Sequence, residues 1–401
     1  MLLLLLVLAT APAPGPAQSP HLGPSRADAL AREAYDAAFN LDYDGAVDAA
    51  RRLTALAPDD PRSHRVLATV LWTRILFQIG AITVDHFMGT LTKSKDTRPP
   101  VPDSLHEEFT AALTRAIDLA DARLQQNRRN LEARYDLGAA HAIQATFRAS
   151  IEGNVTSAFG PARRAYGAIA EVLEHDSGHT SANVIAGTYR YVVSEQRFPS
   201  RWLAYVVGFA GDGERGIAMI ERAAESPAAV YDALPALLLI YTREERHDEA
   251  LAVAERLARA FPRNRLFTLE VGSAALRAGR PREAERAIAA GLDALDADTR
   301  PLAPGERAMW LYQHARALVE LGRAADAQRR LDAALAADPL GWVRGRIHLE
   351  RGKVADLGGR RADAREAYRL ARTIAARDND PIGRRAAEAL LNQPFRPGGK
   401  R

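Results

Sequence analysis

The sequence contains no cysteine, which excludes disulfide bonds, a thiolate metal site and a catalytic thiol. It also has no large excess of one charge sign, because 54 basic residues against 50 acidic ones leave a formal charge of only +4. Nucleic-acid binding requires a clustered basic face, so this balance argues against a nucleic-acid partner. Aromatic residues are few, and the helix formers Ala, Leu, Arg and Glu are abundant, which predicts an all-α protein.

The chain also lacks an apolar run long enough to span a bilayer. The run over 66–83 is interrupted by Arg74 and Gln78 and predicts a buried helix. The shorter run from Leu2 to Ala9 resembles the apolar core of a signal peptide, with a cleavage site after Ala17. We therefore expect an exported, periplasmic protein. The alternative is a cytoplasmic protein with an apolar tail.

Three C-terminal segments share one pattern. They read AGRPREA, LGRAADA and GGRRADA, at residues 278–284, 321–327 and 358–364. Each places a glycine after one helical pattern and an alanine at the opening of the next. The step from Ala250 to Ala284 is 34 residues, the length of a helix–turn–helix repeat that stacks into a solenoid.

Small or compact residues recur where two helices of such a repeat must cross closely. On the first helices they are Leu238, Gly272, Ala315 and Gly352, and on the second helices Ala250, Ala284, Ala327 and Ala364. Gly279, Gly322 and Gly359 follow the first helices, where a left-handed cap is expected. At these positions the chain resembles tetratricopeptide repeats. The resemblance implies a right-handed superhelix of antiparallel helix pairs and a non-enzymatic, protein-binding scaffold.

Composition and periodicity divide the chain into seven segments. They are a signal-peptide-like segment (1–17), a linker (18–25), N-terminal repeat-like helices (26–89), a Pro-rich loop (90–103), irregular helical pairs (104–226), regular repeats with a capping helix (227–393) and a disordered basic tail (394–401).

A narrower resemblance covers about 187–270. A proline-containing apolar helix leads into a Gly-Phe-x-Gly-Asp turn and a Gly-Ile helix; these residues are Pro199, Gly208, Phe209, Gly211, Asp212, Gly216 and Ile217. The stretch is similar to a segment of the tetratricopeptide repeat protein 39 family, also called the inclusion body clearance family. That resemblance implies a non-enzymatic adaptor connected with lipid or protein-aggregate handling, and it transfers no functional residues.

Two motifs could carry chemistry, and both favour a turn. Gly211, Gly213 and Gly216 satisfy G-x-G-x-x-G, but no strand pattern precedes them, so a nucleotide site is disfavoured against a helix–helix turn. His175 and His179 have the spacing of two metal ligands on a helix, but Ser177 and Gly178 between them indicate a turn. We predict no catalytic residues, no metal and no cofactor.

One set of residues supports a functional hypothesis. In stacked repeats the first helices line a concave groove, and basic residues dominate the positions expected to face it. The predicted partner-binding residues are Arg243, Arg277, Tyr312, Arg316, Arg346 and Lys353. Guanidinium groups match the geometry of carboxylates, so the groove is expected to bind an acidic peptide. The alternative is an ordinary solvated helix face.

The sequence therefore predicts a scaffold or adaptor with a protein or peptide partner, acidic if the groove is the site. The alternative function is an accessory factor in cell-envelope or lipid handling. That factor would contact a membrane surface through the apolar middle segment without spanning the bilayer. The Arg- and Ala-rich composition indicates a bacterial source.

Overall fold

The computed structural model describes residues 25–88, 99–195 and 212–398, and every regular element in them is helical. The all-α prediction is confirmed. The chain divides into two compact units. One contains residues 1–75 and 101–240, and the other contains residues 76–100 and 241–401.

Ten α-helices precede residue 244 in the described ranges. They are α1 (Arg26–Phe39), α2 (Tyr43–Leu56), α3 (Pro61–Gln78), α4 (Val84–Phe87), α5 (Asp103–Gln126), α6 (Leu131–Ser150), α7 (Val155–His175), α8 (Thr180–Ser194), α9 (Gly213–Ala223) and α10 (Ala233–Arg243). A 3₁₀ helix at Pro227–Tyr231 leads into α10. α4 belongs to the second unit, although it lies in sequence between two parts of the first.

The first unit is built from helices that pack on their neighbours in sequence. α1 packs on α2, α5 on α6, α6 on α7, and α8 on α9. The helices α8 and α9 approach closely at Gly187 and Gly216, where a Cβ on Gly216 would lie 2.6 Å from the Gly187 carbonyl oxygen. Asp212 caps α9 by accepting the backbone N–H of Arg215. Gly216 therefore serves helix packing.

The second unit continues with eight helices. They are α11 (His247–Ala260), α12 (Arg265–Arg277), α13 (Pro281–Ala297), α14 (Glu306–Glu320), α15 (Ala324–Ala336), α16 (Gly341–Leu357), α17 (Arg361–Arg377) and α18 (Pro381–Asn392). Each packs on the next, and the first helices of successive repeats also touch, because α14 contacts both α12 and α16. The first helices thus form one continuous face.

The glycine caps are confirmed. Gly279, Gly322 and Gly359 adopt φ of 72°, 72° and 71°, the left-handed region that glycine enters without steric cost. After each glycine, the next backbone N–H bonds to a carbonyl five residues back, as Arg280 does to Ala275 at 2.9 Å. The same bond recurs at Arg323 and Arg360, so three repeats end their first helix in the same way.

The two helices of a repeat differ in how much surface they bury. On α15, a second helix, Ala327, Leu331 and Ala334 form one buried stripe. The first helix α14 buries 12 of its 15 residues, including polar Gln313 and His314. An amphipathic helix covers a core with one face, so burial all round means that α14 is covered on a second side as well.

Candidate functional site

The predicted groove residues lie on the face formed by the first helices. Arg243 ends α10, Arg277 ends α12, Tyr312 and Arg316 lie on α14, and α16 carries the last two, Arg346 and Lys353. We define the first-helix groove as the surface formed by these side chains together with Glu270, Gln313 and Glu350. The helices α10, α12, α14 and α16 contribute to it.

Residues 79–88, from the loop after α3, occupy the first-helix groove. The segment turns at Gly80, whose φ of 71° brings it against the loop before α14. A Cβ on Gly80 would lie 2.7 Å from the Pro304 carbonyl oxygen, so glycine is required there. The single turn of α4 follows, and its Val84, Asp85, His86 and Phe87 are all buried.

Asp85 is the centre of the contact. Its carboxylate lies 3.0 Å from a guanidinium nitrogen of Arg277 and 3.3 Å from one of Arg346. The side-chain amide of Gln313 donates to its other oxygen at 3.2 Å. Arg277, Gln313 and Arg346 come from three successive first helices, so one carboxylate joins three repeats.

The backbone of the segment is bound as well. The N–H of Val84 donates to Glu270 Oε1 at 2.6 Å, and Arg243 donates to the carbonyl oxygen of Phe87. The His86 ring lies edge-on to the Trp342 ring, with the centroids 6.2 Å apart. The groove therefore contacts one side-chain charge and two main-chain groups of residues 79–88.

Burial and ion pairing set the protonation states. Burial disfavours the charge on Asp85, but the guanidinium groups of Arg277, Arg346 and Arg316 outweigh it and hold the pKa of that carboxyl well below its usual range. Glu270 behaves in the opposite way. Burial raises the pKa of Glu270 to about 7, against the opposing effect of Arg277 and with support from the nearby Asp85.

The remaining groove residues are held by one another and by local acids. The Arg316 guanidinium donates to Gln313 Oε1 at 2.7 Å and lies 5.7 Å from the Tyr312 ring centre. Arg346 pairs with both Asp380 oxygens, at 2.8 and 3.1 Å. Lys353 donates to Glu350 at 2.8 Å and lies 5.1 Å from the Phe395 ring centre.

The six predicted residues all lie on first helices, and their binding of an acidic partner stays a prediction. Arg346 and Lys353 are only 6% and 9% exposed. Arg346 lies against Asp85 and Asp380, whereas Lys353 lies against Glu350 and Phe395. Sequence analysis missed Asp85, Gln313 and Glu270. The only available signal was an aspartate among apolar residues, TVDHF, beside a Pro-rich loop.

The two chemical motifs form turns and helix ends where the structure describes them. His179 accepts the Ala182 N–H at the start of α8, and His175 is the last residue of α7. Gly213 opens α9. Across the described ranges, no group of three His, Asp or Glu side chains is arranged to hold a metal. No described helix is both long and apolar enough to cross a bilayer.

Three sequence predictions lie outside the described residues. They concern the signal-peptide-like segment with its linker, most of the Pro-rich loop, and the apolar middle segment at 196–211. Pro199, Gly208, Phe209 and Gly211 of the narrower resemblance belong to that last segment.

Comparison with known proteins identifies the repeats. A tetratricopeptide repeat family model matches residues 241–301 and 312–381. No curated protein sequence matches the chain.

Solved structures with a similar fold include yeast Tom70, at 12% identity and a TM-score of 0.40, over 91% of this chain and 88% of that one. They also include a human IFIT1 dimer with m7Gppp-AAAA, at 12% identity and a TM-score of 0.46, over 93% and 86%. A tetratricopeptide repeat protein from Parabacteroides merdae has 10% identity and a TM-score of 0.30, over 91% and 97%. Likeness at this level carries no argument about function. By the family match, with the first-helix caps in agreement, residues 241–301 and 312–381 of this chain are tetratricopeptide repeats.

Proposed function

We propose that the chain is a non-enzymatic protein-binding scaffold whose first-helix groove takes a peptide segment through a carboxylate. The observation that supports it is the convergence of Arg277, Gln313 and Arg346, from three repeats, on the single carboxylate of Asp85. Repeat proteins of this class typically act by binding other proteins rather than by catalysis.

The charges of the groove favour an anionic ligand. When Asp85 is left out, the groove has five cations and two acids, and Asp380 outside the groove pairs with Arg346. The cations are Arg243, Arg277, Arg316, Arg346 and Lys353, and the acids are Glu270 and Glu350. A buried cation requires a counter-charge, since an unpaired one is costly. A carboxylate that enters between Arg277 and Arg346 supplies it. Guanidinium groups also present a rigid set of donors that matches a carboxylate.

The main-chain contacts fit a peptide better than a small acid. Glu270 accepts a backbone N–H, and Arg243 donates to a backbone carbonyl three residues further along the segment. The two contacts are to main-chain groups three residues apart, so a peptide can make both and an isolated carboxylate cannot. The proposed ligand is therefore an acidic stretch of a protein partner.

The test is quantitative affinity capture from an extract of the producing cells, with the full chain as bait. Arg316→Gln removes a groove cation, and Arg329→Gln removes an exposed cation on α15 as the matched control. We expect a set of proteins that wild type and Arg329→Gln retain, that Arg316→Gln loses, and that added salt releases. Identical captured sets for both variants would refute a groove-mediated function.

A further inference from the structure

We propose that residues 79–88 are an internal ligand of the first-helix groove, and that a partner peptide with an aspartate followed two residues later by an aromatic residue displaces them. This inference rests on the proposed function of the groove. It adds the sequence pattern that the groove recognises and the competition that regulates access to it.

The segment has no fold of its own. Its helix α4 is four residues long, and isolated helices shorter than about 12–15 residues are marginal in water. Thr83, at the N-cap, makes no capping hydrogen bond through its side chain. The order of residues 83–87 therefore comes from contacts with the groove, as it does for a short peptide that becomes ordered when it binds a protein.

The contacts that hold the segment define a pattern that another peptide can reproduce. Asp85 supplies the carboxylate, and the main chain of Val84 and Phe87 supplies one donor and one acceptor. Every residue has the main-chain acceptor and every residue except proline has the donor, so the aspartate carries most of the specificity. The buried ring of Phe87, two residues later, adds the requirement for an aromatic residue.

The internal segment satisfies the groove only in part. Glu270 Oε2 and Ser273 Oγ are buried without a hydrogen-bond partner in the described protein. Arg277 lies within ion-pair distance of Asp85, but its terminal nitrogens are not aligned for hydrogen bonds. Glu270 Oε2 lies 3.8 Å from Arg277 but accepts no hydrogen bond. A ligand with one more donor near Glu270 would supply a bond that residues 79–88 do not, and buried polar groups without a hydrogen bond are unfavourable.

Tethering sets the strength of the competition. A segment joined to its site through a short flexible chain acts at an effective concentration in the millimolar range. A free peptide then binds only the fraction of molecules in which the segment has left the groove, and its apparent affinity falls by that fraction. Weakening the internal segment should therefore strengthen binding of a free peptide.

The experiment measures binding of a fluorescein-labelled peptide with the sequence of residues 79–88 to the full chain. We expect the Asp85→Ala chain to bind it at least tenfold more tightly than wild type. The Asp48→Ala chain, changed at an exposed position, should bind as wild type does. A peptide with asparagine in place of its aspartate should bind no chain. Equal affinity of the Asp85→Ala and wild-type chains would overturn the internal competition.

Hydrogen exchange on the wild-type chain keeps the proposal testable if Asp85→Ala fails to fold. Amides in residues 84–88 should exchange at least a hundredfold faster than those at the centre of α14, because the segment leaves the groove without global unfolding. If these amides exchange at the same rate as those of α14, the segment is a permanent part of the core and the proposal is rejected. If the peptide binds wild type and Asp85→Ala equally and needs its aspartate, the proposed function stands and only the competition fails. If no folded chain binds the peptide, both fail.

Discussion

At the scale of single residues, Arg346 combines burial with contacts to two carboxylates. Its guanidinium pairs with Asp380 at 2.8 and 3.1 Å, lies 3.3 Å from Asp85, and lies 4.8 Å from the centre of the Trp342 ring. Removing one partner of a buried pair leaves the other charge uncompensated, which costs far more than the intact pair contributes. Arg346 thus joins Asp85 and Asp380 within the fold.

Replacing Arg346 with methionine should therefore lower the free energy of unfolding by about 3–5 kcal/mol. The matched control is Arg351→Met on the same helix, where the arginine pairs with a half-exposed Asp332. Exposed pairs of that kind contribute about 0–1 kcal/mol. Urea unfolding of both variants measures the difference. Equal losses would mean that the buried cluster is no more important for folding than the surface pair.

Glu270 gives the groove a pH dependence. Burial raises the pKa of Glu270 to about 7 in the folded chain, above its value in an unfolded one. A raised acid pKa stabilises the fold at low pH, and this contribution is lost as pH rises through the folded value. The contribution of Glu270 to the free energy of unfolding is thus fully present below about pH 4.3 and lost by about pH 7.

Glu270→Gln removes this titration but keeps the shape of the side chain. The unfolding free energy of the variant minus that of wild type should rise by about 3 kcal/mol between pH 4.5 and pH 7.5, as expected for a pKa that lies about 2.5 units higher in the folded chain. Urea unfolding at several pH values measures it, and groups common to both proteins cancel in the difference. A difference that does not change with pH would contradict the assignment.

At the scale of the helix, each repeat depends on a close crossing that requires a small residue. Gly352 on α16 is the clearest case, because a Cβ there would lie 2.3 Å from a ring carbon of Tyr368 on α17. The Tyr368 ring is fully buried and its hydroxyl donates to Asp356 at 2.8 Å, so it cannot move aside freely. The close crossing of α16 and α17 therefore depends both on the missing side chain at Gly352 and on the fixed position of the Tyr368 ring.

Gly352→Ala should therefore destabilise the chain by about 1–3 kcal/mol through overpacking. Gly358→Ala is the control, because Gly358 lies at the end of the same helix with negative φ and its nearest neighbour would be 3.4 Å from the new Cβ. Alanine restricts the backbone of the unfolded chain more than glycine does. Gly358→Ala should therefore be neutral or stabilise the fold by up to about 1 kcal/mol. Thermal melting compares them, and a destabilised Gly358→Ala beside an unaffected Gly352→Ala would refute the crossing argument.

The regular repeats were predictable because their signals are local. A left-handed cap is indicated by a glycine, at Gly279, Gly322 and Gly359. A helix crossing is indicated by an alanine five residues later, at Ala284, Ala327 and Ala364. The register that these residues set was enough to place Arg277, Arg316 and Lys353 on one face. Local periodicity does carry this information, since side chains three or four residues apart share a helix face.

The occupation of the groove was not predictable from local pattern. Val84 and Glu270 are hydrogen-bonded across 186 residues of sequence, and one turn of helix has no periodicity to reveal it. The burial of Arg346 could not be predicted from its own charge, since arginine is rarely buried unless it is paired. Its partners, Asp85 and Asp380, are separated from it in sequence, so only the folded chain shows the pairing.

At the scale of the whole molecule, two units with separate cores accommodate a length that one core could not. The second unit takes residues 76–100 from between two parts of the first, so its groove is lined by one part of the chain and filled by another. A solenoid stabilises itself through contacts between neighbouring repeats. The segment that carries Asp85 adds a contact that joins three of those repeats at once.

For the localisation of the protein, we propose export directed by its N-terminal segment. The apolar run from Leu2 to Ala9 has the length of a signal-peptide core, and the small residues Gly15 and Ala17 suit cleavage before Gln18. The absence of cysteine means that entry into an oxidising compartment would leave no thiol to pair incorrectly.

Protein purified from its native source should therefore begin at Gln18, and N-terminal sequencing measures this directly. Replacing Leu4 and Leu5 with arginine should keep the chain in the cytosol with its first residues intact, because a charged core is not recognised as a signal. Recovery of the unchanged wild-type chain with Met1 from the cytosolic fraction would reject export and leave the cytoplasmic alternative.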